Sequence, residues 1–289
     1  MKTSNIFLLT AAILMATLFV LPKIFGPKYV TREEKQQNLE NRNSFDKNLY
    51  NYRPIALETF DQVLIVDTNN YIQRNNGQTQ AVCWIPSDTY GLKVHASSNF
   101  GNQPKIEGNK LVLYRNNDFY SSQVLYIYAP HIKKFTVQKA SISFAALQAD
   151  SMAFSFESCT DIHLNANNKI KKLNIQSVDS KCWLQNSAQL KNLTAQLNEG
   201  SVLSVQADTV LTANITGDSK SQVEFSPVYD EKLKVQPLAK IDIMTYNDAI
   251  KEVKLKDCEV LHLQGKPQQL VLDMSFQEAK ETIAKLAIN

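Results

Sequence analysis

The sequence predicts an all-β fold: a parallel β-helix of about seven coils, each near twenty residues long, with an N-terminal transmembrane helix and a short C-terminal capping helix. Three observations predict it. First, apolar pairs separated by one residue recur at a fixed interval: Phe135/Val137, Phe154/Phe156, Leu173/Ile175, Leu193/Ala195, Ala213/Ile215, Leu233/Val235 and Val253/Leu255, in steps of 19, 19, 20, 20, 20 and 20, then Leu270/Leu272 after 17. Second, a parallel series keeps the same period: Ile142/Phe144, Ile162/Leu164, Cys182/Leu184, Leu203/Val205, Val223/Phe225, Ile241/Ile243 and Leu261/Leu263. Third, the residue inside each first-series pair is polar (Thr136, Ser155, Asn174, Thr194, Asn214, Lys234, Lys254). Period-two alternation means one buried and one wet face, and fixed repetition means that each coil stacks on its neighbours. A helical repeat needs spacings of three and four, and twenty residues leave no room for two helices and their turns.

In chain order, residues 1–28 read as a signal anchor. Sixteen residues, 6–21, are apolar but for Thr10 and Thr17, short for a bilayer span of about twenty and long for a cleaved h-region of about 7–15. No small-x-small cleavage site follows, so an uncleaved anchor over residues 6–25 in the lipid bilayer is the reading, with a cleaved signal as the alternative. Lys23, Lys28 and Arg32 outnumber Lys2, which by positive-inside counting favours retaining the C-terminal side. The usual plan of an N-terminal anchor before a large β domain favours export, which is the expectation adopted. Residues 29–55 form a polar spacer, either a helix opened by Thr31 and Glu34 as a capping box or a flexible tether.

Residues 56–134 are β-rich. Runs at 63–66, 80–85 and 92–96 are broken by Asn- and Gly-containing turns, residues 105–114 read as a hairpin about Gly108-Asn109, and 124–128 ends at Pro130. These strands are expected to cap one end of the 135–274 repeat. Residues 275–289 change to helical spacing, with Ser275 and Glu278 as a capping box, and are expected to cap the other.

With Phe60-x-x-Val-x-Ile, then Lys110-Leu-Val-Leu113, Tyr126-Ile-Tyr-Ala-Pro130 and the short rungs after them, residues 60–275 resemble the head GIN domain family of auto-transporter adhesins, bacterial envelope proteins. The resemblance implies a right-handed β-helix and a surface or periplasmic location, and supplies no catalytic residues. This chain differs in its eight glycines, using Asn, Asp and Lys at turns.

Composition bounds function. With 31 Lys+Arg against 28 Asp+Glu, a net +3, no nucleic-acid partner is expected. The four cysteines have no C-x-x-C spacing, so neither zinc nor redox chemistry is indicated, and buried free thiols are expected. No cofactor, metal or catalytic residue is assigned. A uronate-type lyase would use arginine, and none occurs after Arg115; Asp150, Asp161, Asp179 and Asp208 read as turn caps. The outward slot of the second series holds Ser143, His163, Trp183, Ser204, Glu224, Asp242 and His262. His163 and His262, five coils apart, cannot share a metal. Trp183, one coil above His163, is the candidate ligand contact, with His163 beside it. The expected function is a membrane-tethered, exported, non-enzymatic adhesion, surface-binding or scaffolding module in the cell envelope, with a glycan or an envelope protein as ligand. The alternatives are a carbohydrate-active enzyme on the same fold and a periplasmic assembly or ligand-binding factor.

Overall fold

The computed structural model describes residues 32–67, 80–96, 104–115, 124–165, 168–185, 190–207, 211–227, 239–246, 250–256, 258–260, 263–264, 267–274 and 279–280. The chain forms two units, Met1–Arg42 and Asn43–Asn289. In the first, the spacer takes its helical alternative as α1 (Arg32–Asn43), with Glu33 and Glu34 in the first turn, Arg42 in the last, and no residue buried. That charge order complements the helix dipole, which supports a helix having no apolar face. The proposed membrane segment, residues 6–25, lies outside the described residues, among which no helix is long and apolar enough to cross a membrane. The C-terminal helix lies outside them too, except for helical Ala279 and Lys280.

The second unit is built of two sheets. Sheet A runs, in spatial order, β1 (Tyr52–Ala56), β4 (Gly91–His95), β7 (Leu125–Ala129), β3 (Gln80–Pro86), β9 (Ile142–Ala145), β11 (Ile162–Leu164), β13 (Lys181–Leu184), β15 (Val202–Ala207), β17 (Gln222–Pro227), β19 (Glu252–Lys256) and β22 (Gln269–Asp273). Sheet B runs β20 (Cys258–Val260), β18 (Ala239–Tyr246), β16 (Leu211–Gly217), β14 (Asn192–Asn198), β12 (Lys169–Val178), β10 (Gln148–Glu157), β8 (Lys134–Gln138), β2 (Gln62–Asp67), β6 (Lys110–Arg115) and β5 (Lys105–Glu107), with β21 (Leu263–Gln264) also pairing β18. From β8 to β19 the chain alternates between the sheets, each strand lying parallel to the one a coil earlier. The core is the seam between them, where Phe135, Phe144, Phe154, Ile175, Ile215 and Phe225 are all 0–1% exposed. The outer face of sheet B is wet along β14, where buried residues alternate with exposed ones from Asn192 to Leu197.

Three expectations are corrected. The early strands do not all cap the stack. The pair β2/β3 lies inside it, between β6/β7 and β8/β9, with every one of these contacts parallel. The chain therefore lays down an inner coil, runs outward through β4 and β5, returns as β6/β7, and then crosses back over its first coil. Among the described strands the antiparallel pairs are β1–β4, β4–β7 and β5–β6. Second, the first-series columns slip by two residues, because Phe154 stands opposite Ile175 and Met152 opposite Leu173. A two-residue slip keeps every side chain on its own face, so alternation alone does not detect it.

Third, the two series exchange sheets after Phe225. Val253 stands opposite Val223 in sheet A, not in the column of Ile215, while β18 joins sheet B. In that sheet Ala213 stands opposite Met244, 31 residues on, whereas Leu193 stands opposite Ala213, 20 residues on. The eleven extra residues amount to about half a coil, so a twenty-residue comb laid over this insertion lands on the wrong sheet. After a register shift at Leu211/Thr212, Ala213 pairs with Met244 and Ile215 with Tyr246 along the strands. Leu233/Val235 lies outside the described residues.

The turns leaving sheet B explain how eight glycines suffice. Lys139, Ser158, Asp179 and Glu199 follow β8, β10, β12 and β14 directly, all with φ between 47° and 56°. The first three each donate their backbone N–H to a carbonyl of the following coil, on Glu157, Val178 and Asn198. The buried residues after them form their own ladder: Cys159 N–H donates to Ser180 Oγ, and Ser180 N–H to Ser201 Oγ. A left-handed residue other than glycine costs about 1–2 kcal/mol, partly offset by the 0.5–1 kcal/mol entropy that glycine loses on folding. Lys139→Gly is therefore expected to stabilise the protein by roughly 0.5–1 kcal/mol, read as a raised urea midpoint with an unchanged m value.

Candidate functional site

The outer face of sheet A carries the candidate site. Its central column, read from strand pairings, is Ser143, His163, Trp183, Ser204, Glu224, Lys254 and Val271. The first five were expected there. Asp242 is not, since β18 belongs to sheet B, and Lys254 takes its place because of the insertion. His262 lies outside the described residues.

His163 and Trp183 pack against each other with ring centroids 5.0 Å apart and planes within 13° of parallel. Two rings so close cannot lie edge to edge; they stack face to face across the strand-to-strand direction, at about the strand spacing. The imidazole is oriented from its own strand, with Nε2 2.8 Å from Asp161 Oδ1. The His163 side chain is 25% exposed and that of Asp161 32%. Asn165 Nδ2 donates to Ser143 Oγ at 2.8 Å, tying the next coil down beside them. The platform thus stands on a three-residue strand held on both edges by parallel neighbours. Past Trp183 the column drops to Ser204, whose side chain is too short to cover the indole, and rises again at Glu224.

Asp161, a turn cap by sequence, instead turns its carboxylate to the His163 ring. An Asp-x-His spacing on a strand does place both side chains on one face, and that signal was available. Two other carboxylates are engaged locally, and Asp208 lies outside the described residues. Asp150 lies in β10 and pairs with Lys171 at 2.7 Å; Asp61 pairs with Lys133 at 2.5 Å. No cluster of three or more His, Cys, Asp or Glu residues that could hold a metal occurs among the described residues. All four cysteines are buried thiols outside any disulfide, and burial raises the thiol pKa of Cys159 and Cys182, which makes them poor nucleophiles. A small cavity of about 20 Å³ is lined mainly by Leu164, Ile170, Leu173, Leu184 and Leu190. Its buried amide, Asn168, already accepts from Leu147 N–H and donates to the Phe144 carbonyl.

Asp218 has a different function. Burial raises its pKa, but donors outweigh this: Ser221 Oγ–H, the backbone N–H groups of Lys220 and Ser221, and the Glu199 N–H one coil away. The carboxyl is held at about 2, against 3.8. A lowered carboxylate pKa stabilises the fold above pH 3.8, and this is lost as pH falls through about 2. Asp218→Ala is expected to cost about 1–2 kcal/mol at neutral pH, with the gap to wild type closing in urea titrations between pH 4 and pH 2.

No protein-family model matches the chain, and the head GIN resemblance rests on the residues quoted for it. No curated protein matches it. Among solved structures it is similar to a protein from Bacteroides fragilis NCTC 9343 described as a "putative adhesin". The TM-score is 0.42 at 12% identity, covering 76% of this chain and 95% of that one. At that distance the likeness carries nothing about ligand or chemistry.

Proposed function

We propose that this chain is a non-enzymatic, right-handed β-helical binding module of the cell envelope, tethered to the membrane through residues 6–25 and exported. It would engage its ligand on the outer face of sheet A. The observation that carries the reading is the stacked Trp183–His163 pair, an aromatic platform partly exposed on the outer sheet face and oriented by Asp161. A rigid aromatic with an open side gives large contact area at little entropic cost. Among the described residues the acidic side chains of Asp61, Asp150 and Asp218 form separate local pairs, which supports binding rather than hydrolysis.

Two measurements test it. In protease shaving of cells expressing the full chain with a C-terminal epitope, the domain should become digestible from the outside, or once only the outermost barrier is opened. Protection that persists until the cytoplasmic membrane itself is opened overturns export. In a sedimentation assay with isolated cell envelopes, Trp183→Ala should weaken retention of the full chain at least tenfold while leaving its urea midpoint within about 0.5 kcal/mol of wild type, as befits an outward side chain. Unchanged retention overturns the assignment of this face.

A further inference from the structure

We infer that the gap in the column over Ser204, between the Trp183 indole and Glu224, is a slot for one neutral pyranose ring of a glycan. This rests on the binding reading above and adds the ligand class and its seat. The fit follows from spacing. His163 sits one strand from Trp183 and stacks on one indole face at 5.0 Å. Ser204 is the register neighbour of Trp183 on the opposite side, so a ring resting over Ser204 lies one strand spacing, about 4.8 Å, from the other indole face. It takes the place His163 occupies on the first face and becomes the third layer of the same stack. Glu224 stands opposite Ser204 on the next strand and closes the slot two spacings from Trp183, about 9.6 Å.

The lining selects among flat ligands. A pyranose presents a C–H face that packs on an indole and a rim of hydroxyls that donate to a carboxylate. Here the indole is one wall, the Glu224 carboxylate the other, and the Ser204 hydroxyl the floor. Gln206 on β15 shares the outward face with Ser204, and Gln185 directly follows β13. Their amides donate and accept equally, which suits hydroxyls. An acidic sugar would set its carboxylate against Glu224. A planar cation gains little, because Lys254, opposite Glu224 on the following strand and paired with Asp273 at 3.6 Å, puts a positive charge beside the slot.

The test uses the full chain and its two tryptophans. Trp84 is buried and donates Nε1–H to the Ala129 carbonyl at 2.9 Å, so changes in indole emission on ligand addition report Trp183. N-acetylchitohexaose and cellohexaose serve as neutral probes, polygalacturonate as the acidic probe, and argininamide as the planar cation. Saturable emission changes are expected with a neutral hexaose. Ser204→Tyr, which fills the slot but keeps Trp183, should weaken that binding at least tenfold; Ser204→Ala should change it less than threefold, and Glu224→Gln should weaken it about fivefold. Ser204→Ala also serves as the folded reference should the tyrosine variant misfold. Binding that survives in a folded Ser204→Tyr protein overturns the slot, as does saturation by polygalacturonate or argininamide alone, or by none of the four. In each of those cases Trp183-dependent retention on envelopes leaves the broader reading standing; loss of that dependence is what removes both.

Discussion

Phe154→Ala is expected to destabilise the second unit by about 4–5 kcal/mol, the largest effect of any single truncation considered. The side chain is 1% exposed and joins three rings. It lies parallel to Phe135 at 5.6 Å on the preceding coil, tilts against Phe156 at 5.6 Å, and meets Phe144 edge-on at 5.1 Å. Because Phe144 belongs to sheet A and Phe154 to sheet B, this last contact crosses the seam. Removing a buried phenylalanine costs about 3–5 kcal/mol in lost transfer energy and cavity, and aromatic pairs add about 0.5–1.5 kcal/mol each. Coils touch only their neighbours, so a cavity here also weakens the coupling between β8/β9 and the coils beyond β12. Urea unfolding should show a lowered midpoint and a lowered m value, as the two sides of the break begin to unfold separately. Phe154→Leu, which keeps most of the volume, is expected to lose roughly 1–2 kcal/mol with the m value intact. A loss below about 1 kcal/mol for the alanine variant would mean that the stack closes over the gap and that this cluster is not the hub of the core.

Much of this cluster could be read from the sequence, and the reason is physical. The face a strand residue occupies depends on parity alone, and parity survives insertions of two, four or twenty residues. So Phe135, Phe154, Ile215 and the wet residues between them were placed correctly, and the Ser143–Glu224 column came out with its members in order. Which strand stands beside which depends on exact coil length. The two-residue slip at Phe154/Ile175 and the eleven residues inserted before β18 are invisible to a periodic comb that tolerates a residue or two. The β2/β3 coil lies beyond any comb, because its neighbours β6 and β8 are fixed by a chain that doubles back. At the site, Trp183 and His163 follow from their shared slot, whereas the sequence reads Asp161 only as a turn cap and Ser204 only as a member of the slot. Their contribution lies in what they leave open or hold still, and that needs the neighbouring strand.

Lys93→Met should cost about 2–3 kcal/mol and release the segment that leads into β1. Lys93 sits on the outer face of sheet A near its β1 edge, 1% exposed, where a lysine is not expected from sequence. Burial lowers its pKa, and Asp46 pulls it back up. Its ammonium donates to the Ser44 carbonyl at 2.6 Å and the Lys47 carbonyl at 2.7 Å, and lies 5.4 Å from the centre of the Tyr128 ring. Phe45 packs edge-on against the same Tyr128 at 5.3 Å. Residues 44–47 are therefore a strap over this end of the sheet, pinned by one cation and one ring. Charge-assisted bonds contribute about 1.5–3 kcal/mol each, and losing two is partly offset by no longer burying a charge. Trypsin should then cut after Lys47 at least tenfold faster than in wild type. The ring contact gives an independent handle on the same strap: a Cβ on Gly91 would collide with the Phe45 ring and stand 2.8 Å from the Ile55 carbonyl oxygen. Gly91→Ala should lift Phe45 and expose the same cleavage site. If both variants act by freeing one segment, the double variant loses little more than the worse single one, since a released strap cannot be released twice. Losses that sum to within about 0.5 kcal/mol would show instead that Lys93 and Phe45 hold different parts of the fold.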